Sequence, residues 1–241
     1  GEGEMVAGNI FAQALSDPHY SIRAAAIENV RKDGRNFAII QGLAESDPHS
    51  SVRQAAIFTL IDSDATGNID LAKRIIGKDQ SYTVVAAALS LLHAEDEAAA
   101  LKVAKKLESE KSSDILATIG EIYAGTGNLD YIPFFENNWN DVEFFSAITF
   151  MQLYGELAAK GDIAQILTSG GKLVKIGTNM GESPWKRFGS MSALNTLHSA
   201  LFEQMEDTMI NDEAKLKLKE ADAKIVKMIE ELKIAETNPQ L

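Results

Sequence analysis

The chain has no cysteine among its 241 residues. This absence excludes disulfide bridges and metal sites built on thiolates. The sequence also lacks any run of about 20 apolar residues, the length that a helix needs to span a bilayer. We therefore predict a soluble protein, although the missing cysteines do not fix its compartment.

Positive charge is also scarce. The sequence has 23 Lys and Arg residues against 35 Asp and Glu residues, which gives a formal net charge of −12. Binding to nucleic acid or to anionic lipid depends on clustered Lys and Arg side chains. We therefore expect neither nucleic acid nor a membrane surface as a partner.

The most informative feature that is present is a repeat. The segment DPHYSIRAAAI, which begins at Asp17, recurs as DPHSSVRQAAI from Asp47 and more weakly as DQSYTVVAAAL from Asp79. A period of about 30 residues is typical of stacked helical repeats. The sequence thus predicts an all-α fold, an α–α superhelix of antiparallel helix pairs arranged as a solenoid.

Two residues at the start of each copy predict where the second helix of a pair begins. Aspartate is a favourable N-cap, and proline is tolerated in the first helical turn. We expect Asp17 and Asp47 to cap these helices, with Pro18 and Pro48 in their first turns.

Arg23 and Arg53 occupy matching positions in the first two copies. Each arginine can bond an aspartate of its own repeat or of a neighbouring repeat, which would tie the turns into a ladder. A ladder of arginines that binds a ligand is the alternative. Val85 stands at the arginine position of the third copy, so the ladder should end there.

We predict a single helical-repeat domain over residues 1–241, with regular repeats at about 5–125 and divergent repeats with a capping helix at about 126–241. The motif at Thr66-Gly67-Asn68 returns at Thr126-Gly127-Asn128, which supports a continued repeat. The predicted helix pairs are 5–16 with 18–32, 35–45 with 48–62, 68–77 with 80–93, 95–109 with 112–124, 128–137 with 140–159, and 161–178 with 183–207.

A final helix is predicted over residues 211–236. Its apolar residues, which include Leu218, Ile225 and Leu232, form one narrow stripe on an otherwise charged helix. This stripe suits a capping helix in a monomer. A coiled-coil dimer formed through the same residues is the alternative.

The sequence offers little that could carry out chemistry. The four histidines are His19, His49, His93 and His198, and the zinc motif H-E-x-x-H is absent. His19 and His49 share one repeat position and should be solvated turn residues, spaced by roughly the 10 Å that separates packed helices. We therefore predict no catalytic, cofactor-binding or metal-binding residue in this chain.

Two further segments have bland interpretations. Ser169-Gly170-Gly171-Lys172 only faintly resembles a phosphate-binding loop, and we expect a helix interruption or kink at the two glycines. The aromatic residues between Tyr131 and Tyr154 could line a partner groove, but aromatic residues at helical spacing more often belong to a core.

The pattern of Asp-Pro, then Arg, then Ala with aliphatic neighbours resembles the HEAT repeat, clearly at 11–31 and 41–61 and partly at 73–92. The segments Asp17–Val30, Asp47–Leu60 and Ser183–Glu203 also look like the C-terminal helical region of bacterial zinc aminopeptidases of the aminopeptidase N family. The resemblance implies a bacterial protein of the cytoplasm or the periplasm. Since the first residue is Gly, we expect a fragment of a longer chain.

The resemblance implies a non-catalytic C-terminal domain that shapes access to a peptide cavity. Its partner would be the catalytic domain of the same parent chain, and possibly peptide substrate, while zinc would belong to that catalytic domain alone. A free-standing HEAT scaffold that binds other proteins is the alternative. An independent enzyme is a third hypothesis, which the missing zinc motif disfavours.

Overall fold

The computed structural model describes residues 10–61, 63, 65–207 and 209–237. All regular secondary structure in these residues is helical, which confirms the predicted all-α class. The chain divides into two compact units, Gly1–Glu110 and Lys111–Leu241. Among the helices of the described part, none has both the length and the apolar character that a membrane span requires.

The first unit contains a helical segment at residues 10–14 and six helices. The predicted first helix at 5–16 therefore begins outside the described residues. The six helices are α1 Tyr20–Asn29, α2 Gly34–Ser46, α3 Ser50–Leu60, α4 Asn68–Lys78, α5 Tyr82–Glu95 and α6 Glu97–Leu107.

Helices of the first unit contact one another in a repeating order. Helix α3 packs against α1 and α5, and α4 packs against α2. Within pairs, α2 packs against α3 and α4 against α5. The side chains between them are aliphatic and fully buried, as at Ile27, Ile57 and Leu89. Burial of such side chains is the main stabilising term of this unit.

The predicted aspartate caps are wrong. Helices α1 and α3 begin at Tyr20 and Ser50, after both prolines, and their N-cap residues are His19 and His49. The carboxylate of Asp47 instead accepts the backbone N–H of His49 at 2.9 Å, two residues further on. Such an Asx turn keeps the chain extended through the proline, so the helix starts later than the aspartate suggests.

Asp17 and the prolines follow the same pattern. The carboxylate of Asp17 accepts the N–H of His19 at 2.7 Å. Pro18 and Pro48 therefore lie in the turns that precede the helices rather than in their first turns. Asp79 repeats the turn by accepting the N–H of Ser81 at 2.9 Å, although no proline follows it.

The second unit contains longer and less regular helices. They are α7 Ser113–Thr126, a 3₁₀ turn at Leu129–Tyr131, α8 Ile132–Asn138, α9 Phe144–Ala158, α10 Ile163–Gly177, α11 Pro184–Glu206 and α12 Asp212–Thr237. Helix α9 packs against α7, α8, α10 and α11, while α12 lies on α10 and α11.

The apolar stripe of α12 is buried within the second unit. Leu218, Ile225 and Leu232 are buried, and their helix packs against α10 and α11. The alternative of a coiled-coil dimer through these residues is therefore wrong, because they are already covered by the chain itself.

Glycines in the second unit allow helices to approach closely. A Cβ atom at Gly155 of α9 would lie 2.8 Å from Cβ and 2.9 Å from Cα of Ala193 on α11. A Cβ atom at Gly189 of α11 would lie 3.0 Å from Cα of Ile148 on α9. The two helices can cross at this distance only because both positions lack a side chain.

The repeated Thr-Gly-Asn motif has a matching backbone conformation at its glycine. Gly67 has φ of 84° and Gly127 has φ of 67°, and both lie in the left-handed region that favours glycine. The elements that follow differ, because Gly67 leads directly into α4 whereas Gly127 precedes the 3₁₀ turn.

Candidate functional site

An ion-pair ladder runs through the first unit. Arg23 donates from Nε and Nη2 to the two carboxylate oxygens of Asp47, at 2.6 and 2.8 Å. Arg53 makes the same two bonds to Asp79, at 2.6 and 2.8 Å. Of the two partners that the sequence left open, each arginine therefore bonds the aspartate of the following repeat.

Each arginine also bonds the turn of its own repeat. Arg23 Nη1 donates to the backbone carbonyl of Asp17 at 2.8 Å, and Arg53 Nη1 donates to that of Asp47 at 2.8 Å. One guanidinium thus joins two successive turns by a bidentate carboxylate pair and a carbonyl bond. Val85, at the third arginine position, is buried and apolar, so it cannot extend the ladder.

Burial and hydrogen bonding act in opposite directions on the ladder carboxylates. Burial alone would raise the pKa of Asp47, but hydrogen bonds from Arg23 and from the His49 N–H outweigh it, so the pKa lies below its ordinary value. The same balance, with Arg53 and Ser81 as donors, lowers the pKa of Asp79. Both carboxylates are therefore charged and fully engaged at neutral pH.

The ladder is built for structure rather than for ligand binding. The side chains of Arg23 and Asp47 are only 10% and 2% exposed. In both pairs the guanidinium and the carboxylate bond each other and the turns, so few of their donors and acceptors remain for a ligand. The interpretation as a structural tie fits this geometry, and the alternative of a ligand-binding arginine ladder does not.

Sequence reasoning missed two polar residues, Arg74 and Asn68, that also join neighbouring helices of the first unit. Arg74 on α4 donates to both carboxylate oxygens of Glu45 on α2, at 2.8 and 3.0 Å. Asn68 receives a bond from Gln41 and donates to Glu95. Arg74 has no counterpart in another repeat, so it left no signal, whereas Asn68 belongs to the repeated Thr-Gly-Asn motif.

The repeated histidines lie at the exposed edge of the first unit. The ring of His49 stacks on Tyr20 with centroids 3.7 Å apart, and His19 lies 6.1 Å from the same ring. Their exposure matches the prediction of solvated turn residues. His198 lies in the second unit and pairs with Asp222. Within the described residues, no three His, Asp or Glu side chains are grouped so as to hold a metal ion.

The segment Ser169-Gly170-Gly171-Lys172 lies inside a continuous helix. Helix α10 runs through both glycines, so the predicted interruption is wrong. A Cβ atom at Gly170 would lie 2.7 Å from Cδ1 of Ile225, which shows that this glycine admits the neighbouring helix α12. Lys172 pairs with Glu136 at 2.6 Å, so its ammonium group serves an internal ion pair.

That ion pair continues into a partly buried polar network. The hydroxyl of Tyr154 donates to Glu136 at 3.0 Å. Burial raises the pKa of the Tyr154 phenol, and the nearby carboxylate of Glu136 adds to this effect. Tyr154 is therefore a neutral hydrogen-bond donor here and cannot act as a nucleophile or base near neutral pH.

The aromatic segment divides between core and surface. Phe134, Phe135, Phe150 and Tyr154 are buried, as expected of core residues. Phe144 and Phe145, by contrast, are exposed. This division could not be predicted from local spacing, because it depends on which face of α9 the other helices cover.

An apolar groove of about 670 Å³ opens in the second unit. Helices α9, α11 and α12 form its walls. Two charged residues, Arg187 and Glu236, take part in a lining that is otherwise apolar. The apolar residues include Phe145, Ile148, Trp185, Phe188, Met191 and Leu232.

Comparison with known proteins assigns no family to this chain. No model of a known protein family matches it, and the search of curated proteins returns no significant match. The repeat, the ladder and the groove are therefore the features of this chain that bear on its function.

Proposed function

We propose that this chain is a non-catalytic, HEAT-like α–α superhelical domain of a zinc aminopeptidase. In this role it contacts the catalytic domain of its parent chain and shapes access to the peptide cavity. The domain supplies a wall of stacked helices, while zinc and the reacting groups belong to the catalytic domain. Its part in peptide hydrolysis is therefore steric.

The ladder is the observation that carries the solenoid part of this proposal. The Arg23–Asp47 and Arg53–Asp79 pairs have the same donors, the same acceptors and the same bond lengths in successive repeats. Helices α1, α3 and α5 are the second helices of successive pairs. The contacts of α3 with both α1 and α5 fit a side-by-side stack of such helices. In such an arrangement each repeat is stabilised by its neighbours.

The aminopeptidase part rests on the resemblance of Asp17–Val30, Asp47–Leu60 and Ser183–Glu203 to the C-terminal helical region of that family. The absence of H-E-x-x-H from the sequence favours a non-catalytic role, because zinc peptidases of this kind need the two histidines and the glutamate.

A binding assay tests the proposal directly. The gene that encodes this chain should carry an upstream, in-frame segment with H-E-x-x-H, and that segment is expressed separately as the catalytic portion. We expect the full chain to bind this portion and to change its relative rates on short and long peptides. An unrelated helical-repeat protein at equal concentration serves as the control.

Two outcomes would contradict the proposal in different ways. If the chain does not bind the catalytic portion and does not change its length preference, the free-standing scaffold is favoured. Release of amino acids by the purified chain alone, abolished by a chelator, would show that the chain is itself an enzyme.

The second candidate is a free-standing HEAT scaffold that binds other proteins. The apolar groove with the exposed residues Phe145 and Phe188 favours it, because exposed apolar patches commonly mark protein interaction sites. A complete gene without a catalytic segment upstream would support this candidate over the first.

A further inference from the structure

We propose that the apolar groove of the second unit binds an uncharged apolar peptide segment that carries an aromatic or branched aliphatic side chain. The side chain would enter the groove, and the backbone of the segment would bond Arg187 and Glu236. This inference holds whether or not the chain belongs to an aminopeptidase.

The size and lining of the groove suit such a segment. Its volume of about 670 Å³ lies within the range of roughly 300–1,000 Å³ that is typical of ligand pockets. Trp185 and Phe145 form one side with ring centroids 4.4 Å apart. Aromatic walls of this kind favour a flat or branched apolar side chain.

Phe144, which directly precedes the groove residue Phe145, has a strained backbone. Phe144 has φ of 50°, a left-handed conformation that is rare for a bulky residue. Phe144 and Phe145 are 67% and 70% exposed. Strain of this kind next to exposed apolar side chains does not help folding, and such strain clusters at binding sites.

Arg187 provides hydrogen-bonding capacity that its present partners do not use well. Its Nη1 donates to the sulfur of Met180, which is a weak acceptor. Its Nη2 lies 3.3 Å from the half-exposed carboxylate of Glu236. Its Nε is buried and has no partner in the described part of the chain. A carbonyl oxygen that replaced the Met180 sulfur would be a better acceptor.

The charge pair selects the chemistry of the occupant. Arg187 and Glu236 form a pair that is neutral overall, so it gives a charged terminus no net attraction to offset the cost of desolvation among the apolar side chains of the groove. A backbone amide is neutral and offers one carbonyl acceptor for Arg187 and one N–H donor for Glu236. The pair is therefore complementary to an internal peptide segment, and less so to a free peptide terminus or a fatty acid.

Fluorescence of Trp185 provides a direct readout. The chain has two tryptophans, and Trp139 packs on Tyr154, 5.9 Å away, and does not line the groove. In the Trp139→Phe variant of this chain, Trp185 is the one remaining tryptophan, so the tryptophan emission comes from the groove. We expect titration with N-acetyl-Leu-Phe-Leu-amide to shift its emission to shorter wavelength in a saturable manner.

A matched pair of variants tests the location. Phe188 and Phe202 lie on the same helix and are 63% and 52% exposed, but only Phe188 lines the groove. We expect Phe188→Ala to weaken peptide binding by about tenfold, whereas Phe202→Ala leaves it unchanged. Phe145→Ala should repeat the result of Phe188→Ala, and circular dichroism checks that each variant is folded.

A third variant tests the selection by charge. We expect the wild-type groove to prefer the amidated peptide to the same peptide with a free carboxylate by about fivefold. Glu236→Gln should reduce this preference, because it leaves the positive charge of Arg187 unbalanced, which attracts the peptide terminus. An unchanged preference would contradict the role given to Glu236.

Three results would overturn the proposal. The first is the absence of a saturable shift, or equal effects of Phe188→Ala and Phe202→Ala. The second is binding of octanoate without binding of the blocked peptide, which would indicate a lipid site. The third is a dimer in sedimentation that Phe188→Ala disrupts, without peptide binding, which would make a second copy the occupant.

Discussion

The two units of this chain hold their helices together in different ways. In the first unit, successive repeats are joined by the Arg23–Asp47 and Arg53–Asp79 pairs at one recurring position. In the second unit, helices approach through glycines such as Gly155 and Gly189, which meet backbone atoms of the facing helix. Directional polar bonds can be repeated from one turn to the next, whereas close packing must be matched separately at each contact.

Breaking the ladder should have the largest effect. We expect Asp47→Ala to lower the free energy of unfolding by about 3 kcal/mol, because it leaves the buried guanidinium of Arg23 without its carboxylate. The control is Asp17→Ala, which removes the same type of turn but no arginine pair, and should cost about 1 kcal/mol. Urea unfolding measures both, and equal losses would contradict the importance of the ion pair.

Filling a close contact in the second unit should have the next largest effect. We expect Gly155→Ala to destabilise the chain by about 2 kcal/mol, because the new methyl group would meet the backbone of Ala193. Gly171→Ala is the matched control, since its Cβ would meet no atom within 4 Å. That change should stabilise the helix by about 0.5 kcal/mol. Hydrogen exchange should place the loss at Gly155 in the second unit.

Acid should weaken the ladder of the first unit. The pKa values of Asp47 and Asp79 are lower in the folded chain than in the unfolded chain. The stability that they contribute is therefore complete above the unfolded pKa of about 4 and is lost as the pH falls through the folded pKa.

We expect the difference in unfolding free energy between the wild type and Asp47→Asn to shrink as the pH falls below about 4. This effect is smaller than that of Asp47→Ala, because protonation leaves the shape of the side chain intact. Unfolding curves measured between neutral and acidic pH test this. A difference that stayed constant with pH would show that the charge of Asp47 is not what stabilises the ladder.

The smallest effect should come from the His198–Asp222 pair that joins α11 to α12. The His198 side chain is partly exposed to solvent, so His198→Ala should cost only about 0.5 kcal/mol. A double-mutant cycle with Asp222→Asn measures the coupling. A much larger coupling would mean that polar bonds hold the second unit as strongly as they hold the first.

How much the sequence predicted depends on how local each feature is. The helices were predictable because apolar spacing and the copies at Asp17, Asp47 and Asp79 mark them, and α12 lies within a residue of its prediction. The prediction that Asp47 caps a helix is wrong, because an Asx turn and an N-cap use the same side chain and differ only in where the helix begins. The partner of Arg23 could be narrowed to two aspartates but not chosen between them.

The groove lay beyond sequence reasoning. Phe145, Trp185 and Leu232 come from three separate helices, and no local pattern shows that they face one space. The close contact at Gly155 could not be predicted either, because a glycine within a helix indicates only a weak helix former until the facing helix is known. The features that make the second unit distinctive are therefore those that depend on contacts between distant segments.

The ladder also sets the order in which the ion pairs of the first unit can form during synthesis. The carboxylate partner lies 24 residues after Arg23 and 26 residues after Arg53 in the chain. On a ribosome, which makes the chain from its N-terminus, Arg23 emerges before Asp47 exists. A newly made repeat therefore lacks its ion pair until the aspartate of the next repeat has left the exit tunnel. The ion pairs of this unit form one after another as the chain grows.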